Sequence, residues 1–182
     1  RSVEELATMT RLSMANASKH LQELRQAGLV RARKEGLRVY YEVAGPDVVD
    51  LLAALREVAE TRLAEVDQLL RTYVTARDDL EPIPGPELLQ RARMGLVTVL
   101  DVRPPEEYAA GHLPGAINVP VEDIARHLKR LPKGREVIAY CRGPYCLLSV
   151  DAVAVLRKKG YKARRLEDGF PEWKAAGLPV ES

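Results

Sequence analysis

Hydrophobic residues recur with two different periods along the first 43 residues. Between residues 3 and 27 they return every three or four positions, which is the spacing of amphipathic helices. Ser2 can cap the first helix, and a second should run from about Ser13 to Ala27 and end at Gly28. From residue 29 to residue 43 apolar and polar side chains alternate around Glu35-Gly36, which predicts an antiparallel hairpin. Two short helices joined by a tight turn and followed by a hairpin predict a winged helix-turn-helix.

Residues 47–76 form a longer apolar stripe at spacings of three and four. The stripe predicts a single long helix with one face that needs a partner helix. We expect a homodimer through this helix, since a dimer suits two half-sites on DNA. The residues of the stripe are Val48, Leu52, Leu55, Ala59, Leu63, Val66, Leu70 and Tyr73.

Residues 78–86 interrupt the periodicity with Pro82, Pro84, Gly85 and Pro86, which predicts a short, stiff linker. Beyond it, apolar strands at residues 97–102, 137–140 and 163–166 alternate with helical stretches at 87–93, 122–131 and 148–159. This alternation predicts an α/β domain with a parallel sheet and a site at the carboxyl ends of its strands. We therefore expect a mainly helical domain at 1–77, a linker at 78–86 and an α/β domain at 87–182.

Composition indicates a soluble globular chain. Of its 182 residues 46% are hydrophobic and 30% charged, and no apolar run approaches the length that spans a bilayer, so we expect no membrane partner. Lys and Arg exceed Asp and Glu by eight to five in residues 1–43, whereas acidic residues prevail by eight to four in residues 44–80. The two cysteines lie in one loop and form no disulfide framework, which indicates a reducing cytoplasm.

The loop that holds both cysteines is the main candidate for chemistry. It runs from the apolar strand at 137–140 to a helix that begins near Leu147. Loop N–H groups and the helix dipole both favour an anion at its centre, so Cys141 should react as a thiolate, while a buried, inert cysteine is the alternative. The loop residues are Cys141, Arg142, Gly143, Pro144, Tyr145 and Cys146.

Motifs on both sides of this loop resemble the rhodanese family. The opening signature is found in Thr98 to Arg103, Glu106-Glu107-Tyr108, Gly111 to Asn118 and Pro120, and the closing signature in Asp168 to Trp173 and Gly177 to Val180. One departure is Asp168, where many members have glycine. The resemblance implies that Cys141 takes a sulfane sulfur from thiosulfate or a persulfide and passes it to a thiol or cyanide, without a cofactor. We expect Arg142 to attract an anionic donor, with a solvated surface arginine as the alternative.

The first domain resembles the winged helix of the ArsR family of bacterial repressors. The similarity rests on Leu12-Ser13, Asn16, Ser18 to Leu21, Leu24, Ala27 to Val30 and Gly36 to Tyr41. It implies that the helix from Ser13 enters the major groove of operator DNA and that hairpin cations contact phosphates. ArsR proteins usually have one or two helices before the segment that begins at Ser2, and we expect this chain to lack them. The expected DNA-contacting residues are Ser13, Met14, Asn16, Ala17, Ser18, Lys19, His20, Arg31, Arg33, Lys34 and Arg38.

Several alternatives follow from single residues. Cys146 could resolve a modified Cys141 into a disulfide, or it could be a bystander packed under the loop. Phosphatases and arsenate reductases with a related loop need arginine where Leu147 stands, which disfavours phosphoryl chemistry. A thiol-rich metal site is not expected, since residues 47–76 contain no histidine or cysteine. Two functions stay open: a regulator that senses or transfers sulfane sulfur, and an active sulfurtransferase whose DNA binding is secondary or vestigial.

Overall fold

The computed structural model describes residues 1–70, 72–73, 81–128, 131–132 and 134–182. Contacts divide the chain into two compact units, Arg1–Leu55 and Arg56–Ser182. The predicted linker lies in part, at residues 78–80, outside the described residues. No helix among the described residues is long and apolar enough to cross a membrane.

The first unit begins with the two predicted helices, α1 (Val3–Thr10) and α2 (Met14–Gln26). Ser2 caps α1 in a capping box, because its hydroxyl accepts from the Glu5 N–H while the Glu5 carboxylate accepts from the Ser2 N–H. Arg11 ends α1 with a φ of 57°, so the chain turns sharply into α2. Both helices and the tight turn between them are confirmed.

A hairpin follows, made of β1 (Val30–Glu35) and β2 (Arg38–Val43). The strands pair antiparallel, with Val30 opposite Val43 and Glu35 opposite Arg38. The two-residue turn is Gly36-Leu37, one position later than predicted, and Gly36 takes the positive φ of 59° that the turn needs.

The single long helix predicted over residues 47–76 is wrong. The structure has two helices, α3 (Pro46–Arg62) and α4 (Ala64–Leu70), with a break at Leu63; residues 71 and 74–76 lie outside the described part of the chain. Near the break, the Thr61 hydroxyl donates to the Glu57 carbonyl at 2.9 Å, a back-bond that bends and weakens helices. Several apolar residues of α3 and the break are exposed, among them Leu52, Leu55 and Leu63.

The second unit is built on a parallel sheet of four strands in the order β4-β3-β5-β6, which confirms the predicted α/β class. Its strands are β3 (Val97–Asp101), β4 (Ile117–Asn118), β5 (Glu136–Tyr140) and β6 (Ala163–Arg165). The central pair, β3 and β5, is almost wholly buried, because helices cover both faces of a parallel sheet. The helices are α5 (Gly85–Arg93), α6 (Pro105–Ala109), α7 (Ile124–His127), α8 (Leu147–Lys158) and α9 (Phe170–Ala175), with a 3₁₀ turn at Val121–Asp123.

Two apolar clusters form the core of this unit, and together they hold β5 in place. One cluster includes Leu100, Val137 and Leu156, and the other includes Leu88, Ile138 and Trp173. Because successive residues of β5 belong to different clusters, the strand is fixed on both faces. Its carboxyl end, which carries Cys141, is therefore rigidly placed.

Candidate functional site

Cys141 follows the last residue of β5, at the carboxyl edge of the sheet, and is only 1% exposed. The loop that begins there ends at Cys146, the residue that precedes the first turn of α8. The N–H groups at the start of an α-helix lack partners within the helix, although that of Ser149 donates back to the Cys146 carbonyl at 3.3 Å, and the positive end of the helix dipole points toward the loop. The preference for a sulfur anion at the loop rests on this placement and stays a prediction.

The loop is closed by a turn and by a covalent bond. The Cys146 N–H donates to the Gly143 carbonyl at 3.0 Å, and the Ser149 hydroxyl donates to the Cys146 carbonyl at 2.9 Å. Cys141 and Cys146 form a disulfide, with their Cα atoms 6.2 Å apart. Cys146 is therefore placed to react with Cys141, which sequence reasoning left open against a bystander position.

Arg142 is held by a carboxylate that sequence reasoning did not assign to the site. Its Nε lies 3.1 Å from both carboxylate oxygens of Glu107, and its Nη2 lies 2.7 Å from Oε1. This is a two-pronged ion pair, the geometry in which a guanidinium binds a carboxylate best. The Arg142 side chain is 39% exposed, and its predicted role toward a donor stays a prediction.

The segment before α9 lies directly against the loop. The Phe170 N–H donates to the Cys141 carbonyl at 3.0 Å, and the Gly169 N–H donates to Oε2 of Glu172 at 3.1 Å. Gly169 approaches the Arg142-Gly143 peptide so closely that a Cβ would overlap it. Partial burial and the neighbouring charge of Glu172 raise the pKa of Asp168. Asp168 and Glu172 therefore lie on this side of the loop, and Glu172 is ion-paired with Arg56 at 3.1 Å.

A buried polar network supports the strand ends under the loop. The Tyr140 hydroxyl donates to Oδ2 of Asp101 at 2.5 Å and accepts from the Leu113 N–H at 3.1 Å. Arg103 binds both oxygens of Asp101 and donates to the Gly111 carbonyl at 2.8 Å. Burial and the Asp101 carboxylate raise the pKa of Tyr140, so the phenol keeps its proton. Asp101 and Arg103 therefore secure the strand ends.

The expected DNA-contacting residues of the first unit lie on α2 and on the hairpin. On α2, Met14, Asn16, Lys19 and His20 are exposed, while Ser18 is half-buried. Ser13 caps the helix, since its hydroxyl accepts from the Asn16 N–H at 3.3 Å. His20 Nδ1 lies 3.2 Å from Glu23 Oε2.

Ala17 does not belong to the DNA-contacting surface, contrary to the prediction from the sequence. It is 4% exposed and belongs to the core of the first unit, together with Leu21. Its position on the apolar face of α2, which the helical spacing already indicated, turns its methyl group away from solvent. Ala17 therefore packs the helix in place and is not available to a base edge.

The hairpin presents its cations as predicted. Arg31, Arg33, Lys34 and Arg38 are all exposed. Arg33 Nη1 lies 2.5 Å from Oε1 of Glu35 on the same strand, in an exposed pair that contributes little to stability. A phosphate could displace that carboxylate at small cost.

The side chains that the fold brings together at the loop can supply sulfur chemistry. Among the described residues, no group of three or more histidine, cysteine or acidic side chains could hold a metal ion. The reactive groups that the fold brings together are two sulfur atoms, one guanidinium and loop amides.

Two families match the chain in the order that its units follow. The profile of the bacterial regulatory protein arsR family matches residues 1–32, and that of the rhodanese-like domain matches residues 86–176. An HTH-type transcriptional regulator of Mycobacterium tuberculosis is 46% identical over 181 residues, which cover 100% of this chain and 79% of that protein. The chain therefore belongs to the ArsR-type helix-turn-helix regulators that carry a rhodanese-like domain.

Further relatives match the second unit. A sulfurtransferase of Allochromatium vinosum is 35% identical over 85 residues, covering 46% of this chain and 78% of that protein. Among solved structures, the rhodanese-like domain of an Anabaena protein is 34% identical with a TM-score of 0.50, covering 57% of this chain and 80% of that one. A Lactobacillus plantarum protein is 27% identical with a TM-score of 0.54, covering 65% of this chain and 98% of that one.

Proposed function

We propose that the chain is a DNA-binding regulator whose rhodanese-like domain senses sulfane sulfur through Cys141. The observation that carries the proposal is the placement of both sulfur atoms in one loop, joined as a disulfide between the end of β5 and the start of α8. Loop amides and the helix dipole support a thiolate or persulfide anion at this position. The neighbouring Cys146 thiol can then convert the Cys141 persulfide into a disulfide.

The chemistry takes two steps and needs no cofactor. In the first, the Cys141 thiolate attacks the sulfane sulfur of a donor, the sulfur-sulfur bond of the donor breaks, and the donor leaves as a thiolate or, from thiosulfate, as sulfite. In the second, the Cys146 thiolate attacks Sγ of Cys141, and hydrosulfide leaves with the electron pair of the broken bond. The disulfide that results holds the loop until a thiol acceptor reduces it.

The first unit supplies the DNA contacts in this proposal. Helix α2 enters the major groove with its exposed residues, and the hairpin arginines and lysine bind phosphates. The exposed apolar residues Leu52, Leu55 and Leu63 support a homodimer, because a second copy would remove them from water. A reducing cytoplasm fits a disulfide that forms only as a signal.

The fate of the transferred sulfur tests the switch. The reduced full chain is treated with polysulfide, and protein-bound sulfur and released hydrosulfide are measured by mass spectrometry and by a hydrosulfide probe. Wild type should release hydrosulfide and form the disulfide, while Cys146→Ser should keep one added sulfur on Cys141 and release none. An unchanged DNA response to polysulfide in Cys146→Ser would count against the switch.

The second candidate is a sulfurtransferase that turns over, and the similarity to the Allochromatium vinosum sulfurtransferase favours it. It uses the same first step, but an external thiol or cyanide removes the sulfur before Cys146 reacts. Sustained turnover with thiosulfate and cyanide, together with no sulfur-dependent change in DNA binding, would favour this candidate over the regulator.

A further inference from the structure

The loop that carries both cysteines contacts helix α3 as well as the sheet. The hydroxyl of Tyr145, the residue before Cys146, donates a hydrogen bond to Oε1 of Glu60. The ring of the same tyrosine lies against the guanidinium of Arg56, whose Cζ is 5.3 Å from the ring centroid. Arg56 and Glu60 are one helical turn apart on the same face of α3, so a single loop side chain meets both.

Arg56 is also anchored outside the loop. Its Nη2 lies 3.1 Å from Oε1 of Glu172, and the two side chains are only 23% and 13% exposed. The other carboxylate oxygen of Glu172 accepts from the Gly169 N–H at 3.1 Å, so this carboxylate belongs to the cap of α9. A partly buried pair with a capping carboxylate holds its arginine more firmly than an exposed pair would. Arg56 therefore fixes the position at which α3 meets Tyr145.

Helix α3 contributes residues to both compact units. Its residues 56–62 belong to the second unit, whereas residues 46–55 belong to the first, in which Val48 is buried. The same helix carries the exposed leucines that the proposed homodimer would cover. A change in the contacts of Tyr145 therefore acts on a helix that is also part of the helix-turn-helix unit.

The state of the cysteine pair restricts Tyr145 directly. A bond between Cys141 and Cys146 closes residues 142–145 into a small ring, so the backbone before Cys146 has few conformations left. Burial and the Glu60 carboxylate raise the pKa of Tyr145, so its phenol stays protonated and remains a donor. Opening the bond leaves this donor and its acceptor unchanged but frees the backbone that holds the ring on α3. The contact with α3 is thus favoured in the disulfide form.

We infer that Tyr145, Arg56 and Glu60 form the contact through which the cysteine pair controls α3 and thereby DNA binding. The inference rests on the proposed function and names the route of its regulation. The disulfide form seats Tyr145 on α3, and an external pair of thiols, itself oxidised to a disulfide, returns both cysteines to thiols and releases the tyrosine. Because coupling between two sites is reciprocal, the contact with α3 also stabilises the disulfide against reduction.

The thiol–disulfide equilibrium of the full chain tests this contact without DNA. Its constant is measured in glutathione buffers for wild type, Glu60→Ala and Arg56→Met, with Glu57→Ala as the matched control. Glu60→Ala and Arg56→Met should each favour the reduced form by about threefold, because a contact made in the disulfide form is lost. Glu57 is exposed on the same helix and carries the same charge, so its loss should leave the constant at the wild-type value. A purely structural role for Arg56 and Glu60 would not move the constant.

Binding to the chain's own upstream DNA at fixed salt gives the second readout. Polysulfide should change the affinity of wild type and Glu57→Ala at least about fivefold, but that of Glu60→Ala and Arg56→Met less than about twofold. Mass spectrometry should find the disulfide formed in every one of these proteins, since none of the substitutions alters a cysteine.

The outcomes separate this inference from the proposed function. A full wild-type response in either variant, or an unshifted equilibrium constant, would overturn the inference and leave the proposed function standing. A variant that no longer forms the disulfide would make its residue part of the sulfur chemistry, which also overturns the inference. A wild type that forms no disulfide with polysulfide, or whose affinity for DNA does not respond, contradicts the proposed function itself.

Discussion

The backbone N–H of Phe170 donates a hydrogen bond of 3.0 Å to the carbonyl of Cys141, so the start of α9 is tied to the strand end that carries the reactive sulfur. The two residues are far apart in the sequence, and each belongs to a different motif. Their contact places the closing motif of the domain against the loop. Gly169 precedes Phe170 because a Cβ at that position would overlap the loop backbone.

Gly169→Ala should destabilise the second unit through one steric overlap. The backbone of Gly169, with φ −117° and ψ −175°, is open to any residue, so the cost comes only from a Cβ that overlaps the Arg142-Gly143 peptide. We expect a loss of about 3 kcal/mol in the free energy of unfolding, measured by chemical denaturation. Gly143→Ala is the control, because its Cβ would meet only the carboxylate oxygens of Glu172, at ordinary distances of 3.7 and 3.9 Å. Equal effects of the two substitutions would refute the close approach.

Tyr140→Phe should be costly because it removes a hydroxyl that serves two buried partners. Asp101 loses a donor and the Leu113 N–H loses its acceptor, so we expect a loss of about 2–3 kcal/mol in unfolding free energy. Tyr108→Phe removes one bond at a half-buried site and should cost about 1 kcal/mol. The reverse order of these two losses would mean that the network does not support the strand ends.

The stability of the second unit should depend on pH through Glu136. Burial alone would raise the pKa of this carboxyl, but the guanidinium groups of Arg164 and Arg91, each 2.8 Å away, outweigh it and hold the pKa below its ordinary value. The stabilisation is therefore present above the ordinary pKa and is lost as the pH falls through the lower value in the folded state.

Glu136→Gln checks this dependence. The variant should be less stable than wild type by about 1 kcal/mol at neutral pH, and the difference should shrink as the pH falls toward the lowered pKa of the folded state. Chemical denaturation at pH 7 and at pH 3 measures both values, with the exposed Glu122→Gln as control. A difference as large at pH 3 as at pH 7 would show that the charge of Glu136 is not what stabilises the fold.

Lys34→Ala tests the hairpin as a phosphate-binding element. Lys34 is exposed near the hairpin tip, so its loss should weaken binding to operator and to unrelated DNA alike, and the slope of log affinity against log salt should fall by about one. Lys174→Ala, which removes an equally exposed charge from α9, should leave the slope unchanged. A loss confined to operator DNA would instead place Lys34 at a base edge.

The sequence predicted those parts of the fold that depend on repeated local patterns. Buried elements were predicted from the apolar runs of β3 and β5 and from the periodicity of α8. Because Cys141 comes directly after one of these strands, its position at the carboxyl edge of the sheet could be predicted too. Helix α6 and strand β4, five and two residues long, are too short to show a period. The break at Leu63 was missed because the apolar spacing continues through it.

The pairing of Glu107 with Arg142 is the feature of the site that sequence reasoning could not supply. The residues are 35 positions apart, and their contact depends on where α6 docks, which no local pattern encodes. The available signal was that Glu107 belongs to the same motif as the strand end at Asp101. The burial of Ala17, in contrast, could be predicted from the sequence, because helical spacing places this residue on the apolar face of α2.

The central claim is that sulfur chemistry at Cys141 controls DNA binding. Its most direct test is the affinity of the full-length protein for its own upstream DNA at fixed salt, before and after polysulfide, with Cys141→Ser measured alongside. The account predicts an affinity change in wild type that is absent in Cys141→Ser. Unchanged binding in both proteins, or the same change in both, would contradict it.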